Sequence, residues 1–222
     1  MTKRHEVRLL GHESCGSDIV TVRFSRPAGY DFAPGQWFTL TLKTAEGSET
    51  KTFSHCSAPA DEYLEMTTRL SGSSFKRTLD SLVPGAGGSH SGEWSRGDRA
   101  VIAGPGGRLA LADEVQKVCF LIGGVGITPV RSILRHAALN HRTFEDALLV
   151  YGNRDASCVP FLPEFERMAP QGLRTVVVYE TPPPQWGGEE GFITAELAFR
   201  HLPDHGETQF FVAGPPVMVA VM

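Results

Sequence analysis

The chain has 222 residues, 41% of them hydrophobic and 21% charged, and a formal net charge of −4. That length holds one large domain or two of roughly 100 residues, each able to bury a core. With no lysine/arginine run and no apolar stretch near the length of a membrane span, neither a nucleic-acid nor a membrane partner is expected.

The polar start, Met1-Thr-Lys-Arg-His-Glu, is not a signal peptide. From there to about residue 70 every signal is β. Short runs rich in Val, Thr, Phe and Leu cover Glu6 to Leu10, Ile19 to Phe24, Trp37 to Leu42, Thr50 to His55 and Tyr63 to Leu70. Turn residues separate them, at Pro27-Ala-Gly29, Pro34-Gly35 and Glu46-Gly47-Ser48. Evenly spaced short strands predict a small closed antiparallel barrel. Gly72 to Val83 changes period and predicts an amphipathic helix capped by Ser73 or Ser74. Gly85 to Gly97 reads as a mobile polar loop. Arg99 to Ala103 is a further strand, ending in Gly104-Pro105-Gly106-Gly107.

From Lys117 the rhythm alternates. Strands are expected at Val118 to Ile122, Ala147 to Tyr151, Thr175 to Tyr179 and Thr208 to Ala213. Helices are expected after Thr128, at Phe161 to Met168 and at Thr194 to Leu202. Such alternation predicts a parallel sheet with helices on both faces. The expected division is a β-barrel domain over 1–112 and an α/β domain over 113–222. The four cysteines, Cys15, Cys56, Cys119 and Cys158, lack the close spacing of zinc or iron–sulfur ligands. Free thiols in a reducing cytoplasm are the expected state.

The most informative stretch runs from Val118 to Leu134. An apolar run collapses into Gly123, Gly124 and Gly126; then Ile127-Thr128-Pro129 opens apolar positions in helical spacing. Thr128 suits an N-cap and Pro129 the first helical position. Bare glycines and a helix start together favour the phosphates of a dinucleotide. A tight strand-to-helix turn with no ligand is the simpler alternative. Pro129 stands where the usual dinucleotide fingerprint has its third glycine. The full string, Gly-Gly-Val-Gly-Ile-Thr-Pro, closely resembles the pyridine-nucleotide motif of the ferredoxin–NADP reductase superfamily. Those are flavin-dependent NAD(P)H oxidoreductases, built from a flavin-binding barrel and a nucleotide-binding domain.

Three further stretches carry the same resemblance. Lys51-Thr52-Phe53-Ser54-His-Cys-Ser57 resembles the flavin signature Arg-x-Tyr-Ser-x-x-Ser, with lysine for arginine and phenylalanine for tyrosine. The resemblance implies a ring at Phe53 against the isoalloxazine, a hydroxyl at Ser54 toward its reactive edge, and a cation at Lys51 toward phosphate. Lysine keeps the charge but loses the bidentate fork. Arg69, followed by Gly72, Ser73 and Ser74, matches the segment that holds the flavin phosphate, so Arg69 is expected to compensate for Lys51. Gly214-Pro215-Pro216-Val-Met218 resembles the motif lying against the nicotinamide, with Ala213 in place of its cysteine. Asn153-Arg154-Asp155 falls where family members hold the adenosine ribose. Arg154 would favour a 2′-phosphate and Asp155 would disfavour one. His55 is expected to be a partly exposed strand histidine, and Cys56 an apolar filler.

The resemblance implies hydride transfer from NADH or NADPH to bound FAD (or FMN), with electrons passed to a separate acceptor such as a ferredoxin or an oxygenase component. Two alternatives are an electron-transfer subunit with little activity alone and a non-catalytic nucleotide-binding module. In relatives the chain continues past the Gly-Pro-Pro turn to another strand. This sequence is therefore expected to be C-terminally truncated, with a short last helix, an uncovered sheet edge and poorly buried Val217, Val219 and Val221.

Overall fold

The computed structural model describes residues 3–16, 18–82 and 99–222. The polar loop expected at Gly85 to Gly97 lies outside them. The chain divides into two units, Met1–Ala110 and Leu111–Met222.

The first unit is one antiparallel sheet of six strands: β1 (Arg4–Cys15), β2 (Ile19–Ser25), β3 (Trp37–Thr44), β4 (Gly47–Ser54), β5 (Tyr63–Arg69) and β6 (Arg99–Gly106). Their order is β4-β3-β6-β1-β2-β5. The end strands β4 and β5 form no ladder with each other, so the expected closed barrel is an open, curled one. A backbone bond from Cys56 N to the Glu65 carbonyl, 2.7 Å, joins the chain just past β4 to β5. Alternation works as read: Phe38, Leu40 and Leu42 of β3 and Val20, Val22 and Phe24 of β2 point into one core. Helix α1 (Ser74–Asp80) lays Phe75 and Leu79 onto that core. Ser73 caps it by accepting from Lys76 N at 3.3 Å.

The second unit is a parallel sheet. Its strands are β7 (Lys117–Gly123), β8 (Asp146–Asn153), β9 (Leu173–Tyr179), β10 (Glu189–Glu190) and β11 (Gln209–Ala213), in the order β10-β9-β8-β7-β11. Val118 to Ile122 and Ala147 to Tyr151 are buried on both sides, which is why they read as unbroken apolar runs. The helices are α2 (Ile127–Leu139), α3 (Leu162–Glu166), α4 (Ala195–His201) and α5 (Pro216–Val221). Thr194 caps α4 through Leu197 N at 3.1 Å.

Three expectations change. The helix expected over Phe161 to Met168 shrinks to Leu162–Glu166, because Phe161 takes a left-handed φ of 65° and a 3₁₀ turn, Ala169–Gln171, follows. Thr128 is not an N-cap. A 3₁₀ turn over Gly124–Gly126 runs straight into α2, so the helical path begins earlier and Thr128 Oγ1 bonds back to the Val125 carbonyl at 3.1 Å. Of the four thiols expected to be free, Cys56 and Cys119 are, and both are buried; Cys15 and Cys158 are not.

Candidate functional site

In the second unit, β8, β9 and β10 extend from one side of β7 and β11 returns to the other. The strand order therefore reverses between β7 and β11, and such a crevice, at the carboxyl ends of the strands, is where open parallel sheets take ligands. Two glycine loops meet there. A Cβ on Gly126 would stand 2.6 Å from the Ala213 carbonyl oxygen. One on Gly123 would stand 2.8 Å from Met218 Sδ and 2.9 Å from Pro215 Cδ. Gly214 is equally tight, at 2.9 Å from the same sulfur. Gly124 differs: its φ is +52° and nothing lies within 4 Å of an added Cβ. Gly123, Gly126 and Gly214 thus let the loops interlock, and Gly124 leaves the backbone open. The unsatisfied N–H groups of the first helical turn fall on Gly124, Val125 and Gly126, which suits a phosphate.

The remaining residues of the motif divide by burial. Ile127, Thr128 and Pro129 are buried, so their side chains anchor α2 rather than face a ligand. Pro215 and Pro216 are exposed at the lip, and Met218 packs inward against the glycines. Phe210 and Val212 are exposed on the edge strand β11, and Val217 and Val219 on α5.

At the end of β8, Asn153 is buried and donates to the Tyr151 carbonyl at 3.4 Å. Arg154 is exposed and contacts Asp155 at 3.2 Å. Asp155 also accepts from Ser157 N at 2.9 Å and from the Ser157 hydroxyl. These bonds, with the Arg154 guanidinium, hold its carboxyl below the usual range and keep it charged at neutral pH. Arg154 is therefore already neutralised by its neighbour.

A cleft of about 530 Å³ opens at the other, amino-terminal end of this sheet, lined by Lys117, Glu145, Asp146, Arg174, His201 and Asp204. Lys117 pairs with Glu145 at 3.3 Å and Asp204 at 3.5 Å, and Arg174 pairs with Asp146 at 2.8 Å. Both of its fixed cations are paired with its carboxylates, so it reads as a solvated ion-pair network.

In the first unit the flavin-signature residues lie on β4 and just beyond it. Register sets Lys51 and Phe53 opposite Leu40 and Phe38, and Thr52 and Ser54 opposite Thr39 and Trp37. The two pairs thus occupy opposite faces of β4. Phe53 is half-buried and stacks on Phe75 with ring centroids 5.8 Å apart. Lys51 and Thr52 are exposed; Ser54 is half-buried beside Trp37. Ser57 is fully buried, and its hydroxyl accepts from Glu65 N at 3.1 Å, a structural role. Arg69 turns to Asp18, 3.0 Å away. Gly72 and Ser73 are exposed at the start of α1, while Ser74 is buried.

Two residues escaped the sequence reading. His55 is not partly exposed but fully buried, stacked on Phe32 at 3.8 Å and within 3.3 Å of the Tyr30 hydroxyl. Burial, reinforced by Arg26, drives its pKa down to about 3, so it is neutral and takes no part in proton chemistry at ordinary pH. The signal available was weak: an aromatic residue at each of Tyr30, Phe32 and Phe38. The other is Lys76, whose Nζ reaches the Thr68 hydroxyl and lies 4.7 Å from the Phe53 ring centroid. Among the described residues, no group of three His, Cys, Asp or Glu side chains could hold a metal, and no helix is long and apolar enough to cross a membrane.

Residues 120–222 match the oxidoreductase NAD-binding domain family. The reductase component of propane 2-monooxygenase from Mycolicibacterium goodii is 30% identical over 216 residues, 91% of this chain and 57% of that protein. NADH-cytochrome b5 reductase 2 of Aspergillus terreus is 36% identical over 110 residues, 47% of this chain and 34% of that protein. The chain thus spans less than two thirds of either relative. Among solved structures, the CS-b5R domains of human Ncb5or (NAD+ form) superpose with a TM-score of 0.82 at 19% identity, covering 99% of this chain and 64% of that one. A ferredoxin NADP+ reductase from Neisseria gonorrhoeae, solved with bound FAD and NADP, gives 0.78 at 20% identity, covering 99% and 89%.

Proposed function

Because the chain has the two-domain fold of the ferredoxin–NADP reductase superfamily and residues 120–222 match an oxidoreductase NAD-binding domain, we propose that it works as an NAD(P)H-dependent flavin oxidoreductase serving a separate electron acceptor. The observation that carries this is the interlocked pair of glycine loops at the β7/β11 crevice, with the backbone at Gly124 left open. That cradle fits a dinucleotide phosphate. The flavin stretch fits as well: Phe53 offers a ring, and among the described residues no hydrogen bond engages the Ser54 hydroxyl. When bound, the two cofactors supply the hydride and electron chemistry. The chain's own part is to bind and align them. Gly124 to Gly126 hold phosphate, Pro215 and Pro216 shape the lip, and Ser54 donates a hydrogen bond to the flavin edge. The acceptor we propose is an oxygenase component, a ferredoxin or a haem protein. Its class is supported by the names of the relatives, foremost the monooxygenase reductase whose match spans 91% of this chain.

An anaerobic absorption spectrum of the purified chain, loaded with FAD or FMN, tests the reading. Bleaching of the flavin bands on adding NADH supports it, and an unchanged spectrum sinks it. In the same stopped-flow experiment Ser54→Ala is expected to slow flavin reduction roughly 3- to 10-fold, the worth of one net hydrogen bond. Flavin content should stay near that of the wild type; an unaltered rate removes Ser54 from the site.

Nucleotide choice follows from Asp155. A charged carboxylate beside Arg154 disfavours a 2′-phosphate, so NADH should have the higher kcat/KM. Asp155→Asn is expected to shift the NADPH/NADH ratio of kcat/KM toward NADPH by about tenfold, one charge interaction near a surface. A strong NADPH advantage in the unsubstituted chain would instead make Arg154 the phosphate ligand.

A further inference from the structure

We propose that Lys76, together with Lys51, clamps the phosphate of the flavin, and that Arg69, which the motif singles out, does not. This rests on the flavin reading above and names the residues that grip the ligand.

Lys76 leaves α1 and reaches across to β5, where its ammonium donates to the Thr68 hydroxyl. In that position Nζ lies 4.7 Å from the centroid of the Phe53 ring. Lys51 precedes Phe53 by two residues on β4 and so shares its face. The Lys76 ammonium therefore lies over the aromatic ring assigned to the flavin, and Lys51 is near enough to repel it. Neither has a carboxylate partner among the described residues. Other cations of this unit do: Arg23 pairs with Glu65 and Glu13, Arg26 with Asp31, Arg69 with Asp18 and Arg77 with Glu46. Helical spacing would give Lys76 the carboxylate of Asp80, but Asp80 turns to His12 at 3.5 Å. Glu49, two residues before Lys51, makes no ion pair with it either.

A pair of like charges, one of them half-buried, is mutually unfavourable. Burial and the neighbouring Lys51 pull the Lys76 ammonium down to about 8. An anion between them reverses the sign of both interactions. A phosphate does this without needing a bidentate fork, since each lysine acts as a point charge. Arg69, by contrast, would first have to surrender Asp18. The shared ligand chemistry is a phosphate ester at the end of the flavin's ribityl chain, present in FMN and FAD and absent from riboflavin.

The test measures affinity, by flavin fluorescence titration of the full apo-chain with FAD, FMN and riboflavin. Lys76→Gln is expected to weaken FAD or FMN roughly 10- to 100-fold, the range of a charge-assisted bond. Riboflavin affinity should not move, and Lys76→Arg should recover most of the loss. Arg69→Ala should stay within about threefold of the wild type, the scale of an exposed ion pair. Equal losses for all three flavins would mean Lys76 only supports the fold, and overturn the proposal. So would a Lys76→Gln variant that binds FAD normally while Arg69→Ala does not. Should Lys76→Gln fail to fold, the riboflavin contrast in Lys76→Met and Lys51→Gln decides instead: loss confined to the phosphorylated flavins supports the clamp, and a uniform loss or none overturns it. A wild-type chain that binds no flavin at all fails the functional reading first and the clamp with it.

Discussion

Gly126→Ala should separate the two glycine loops and cost the chain both stability and nucleotide affinity. The added methyl would meet the Ala213 carbonyl oxygen at 2.6 Å, its carbon at 2.7 Å and Gly214 N at 2.8 Å. All three are backbone atoms of the adjoining loop, so no side chain can swing aside. Overpacking of this kind costs about 1–3 kcal/mol, and here it also shifts the amides that would face a phosphate. The expected outcome is a lower Tm and NADH affinity reduced at least about tenfold, since displaced amides no longer converge on the phosphate. Gly124→Ala is the matched comparison. It meets nothing within 4 Å but must hold φ at +52°, a strain of about 1–2 kcal/mol for an L-residue. Thermal denaturation with and without NADH, on both variants, checks this. A Gly126→Ala protein as stable and as responsive to NADH as the wild type would show that the loops do not interlock.

Acid should destabilise the first unit through His55. Its folded pKa is about 3 against an ordinary value of 6.5. Between those values the unfolded chain binds a proton that the folded one refuses. This contribution is therefore complete above pH 6.5 and is lost as pH falls toward 3. Between pH 7 and pH 5 the loss amounts to about 2 kcal/mol. Urea denaturation at the two pH values measures it. His55→Leu, close in volume, is expected to remove most of that pH dependence whatever it does to stability at pH 7. An unchanged pH slope in the variant would assign the acid sensitivity to other groups. The physical setting is plain: Tyr30, Phe32 and Phe38 enclose the imidazole, and burial pushes the Tyr30 phenol up as it pushes His55 down.

How far the site could be read beforehand depended on whether a residue answers to its neighbours in sequence or in space. Ser73 caps α1 as its spacing suggests, because an N-cap bonds an amide two or three residues on, and Thr194 does the same for α4. The strands of β2 and β3 alternate as written because period 2 is local to the strand. Thr128 broke the pattern: glycines before it can themselves take helical angles, so the chain entered the helix before the expected cap. Phe161 did likewise, by adopting a left-handed angle that a helical pattern does not announce.

The sequence by itself determined the order of strands and helices, the division into a β unit and an α/β unit, and the places where glycine, proline and serine punctuate the chain. Each of these depends on interactions within a few residues, where composition and spacing act directly. The tertiary structure alone decided which partners those residues take. It put Gly126 against Ala213, gave Asp18 to Arg69 and Asp80 to His12, closed an aromatic box on His55 and, among the described residues, left Lys51 and Lys76 without an acid. Those pairings join residues from separate strands and helices, many of them far apart in the chain. Charge and burial at such sites follow from the sheet order that brings the elements together, and no local pattern encodes that order.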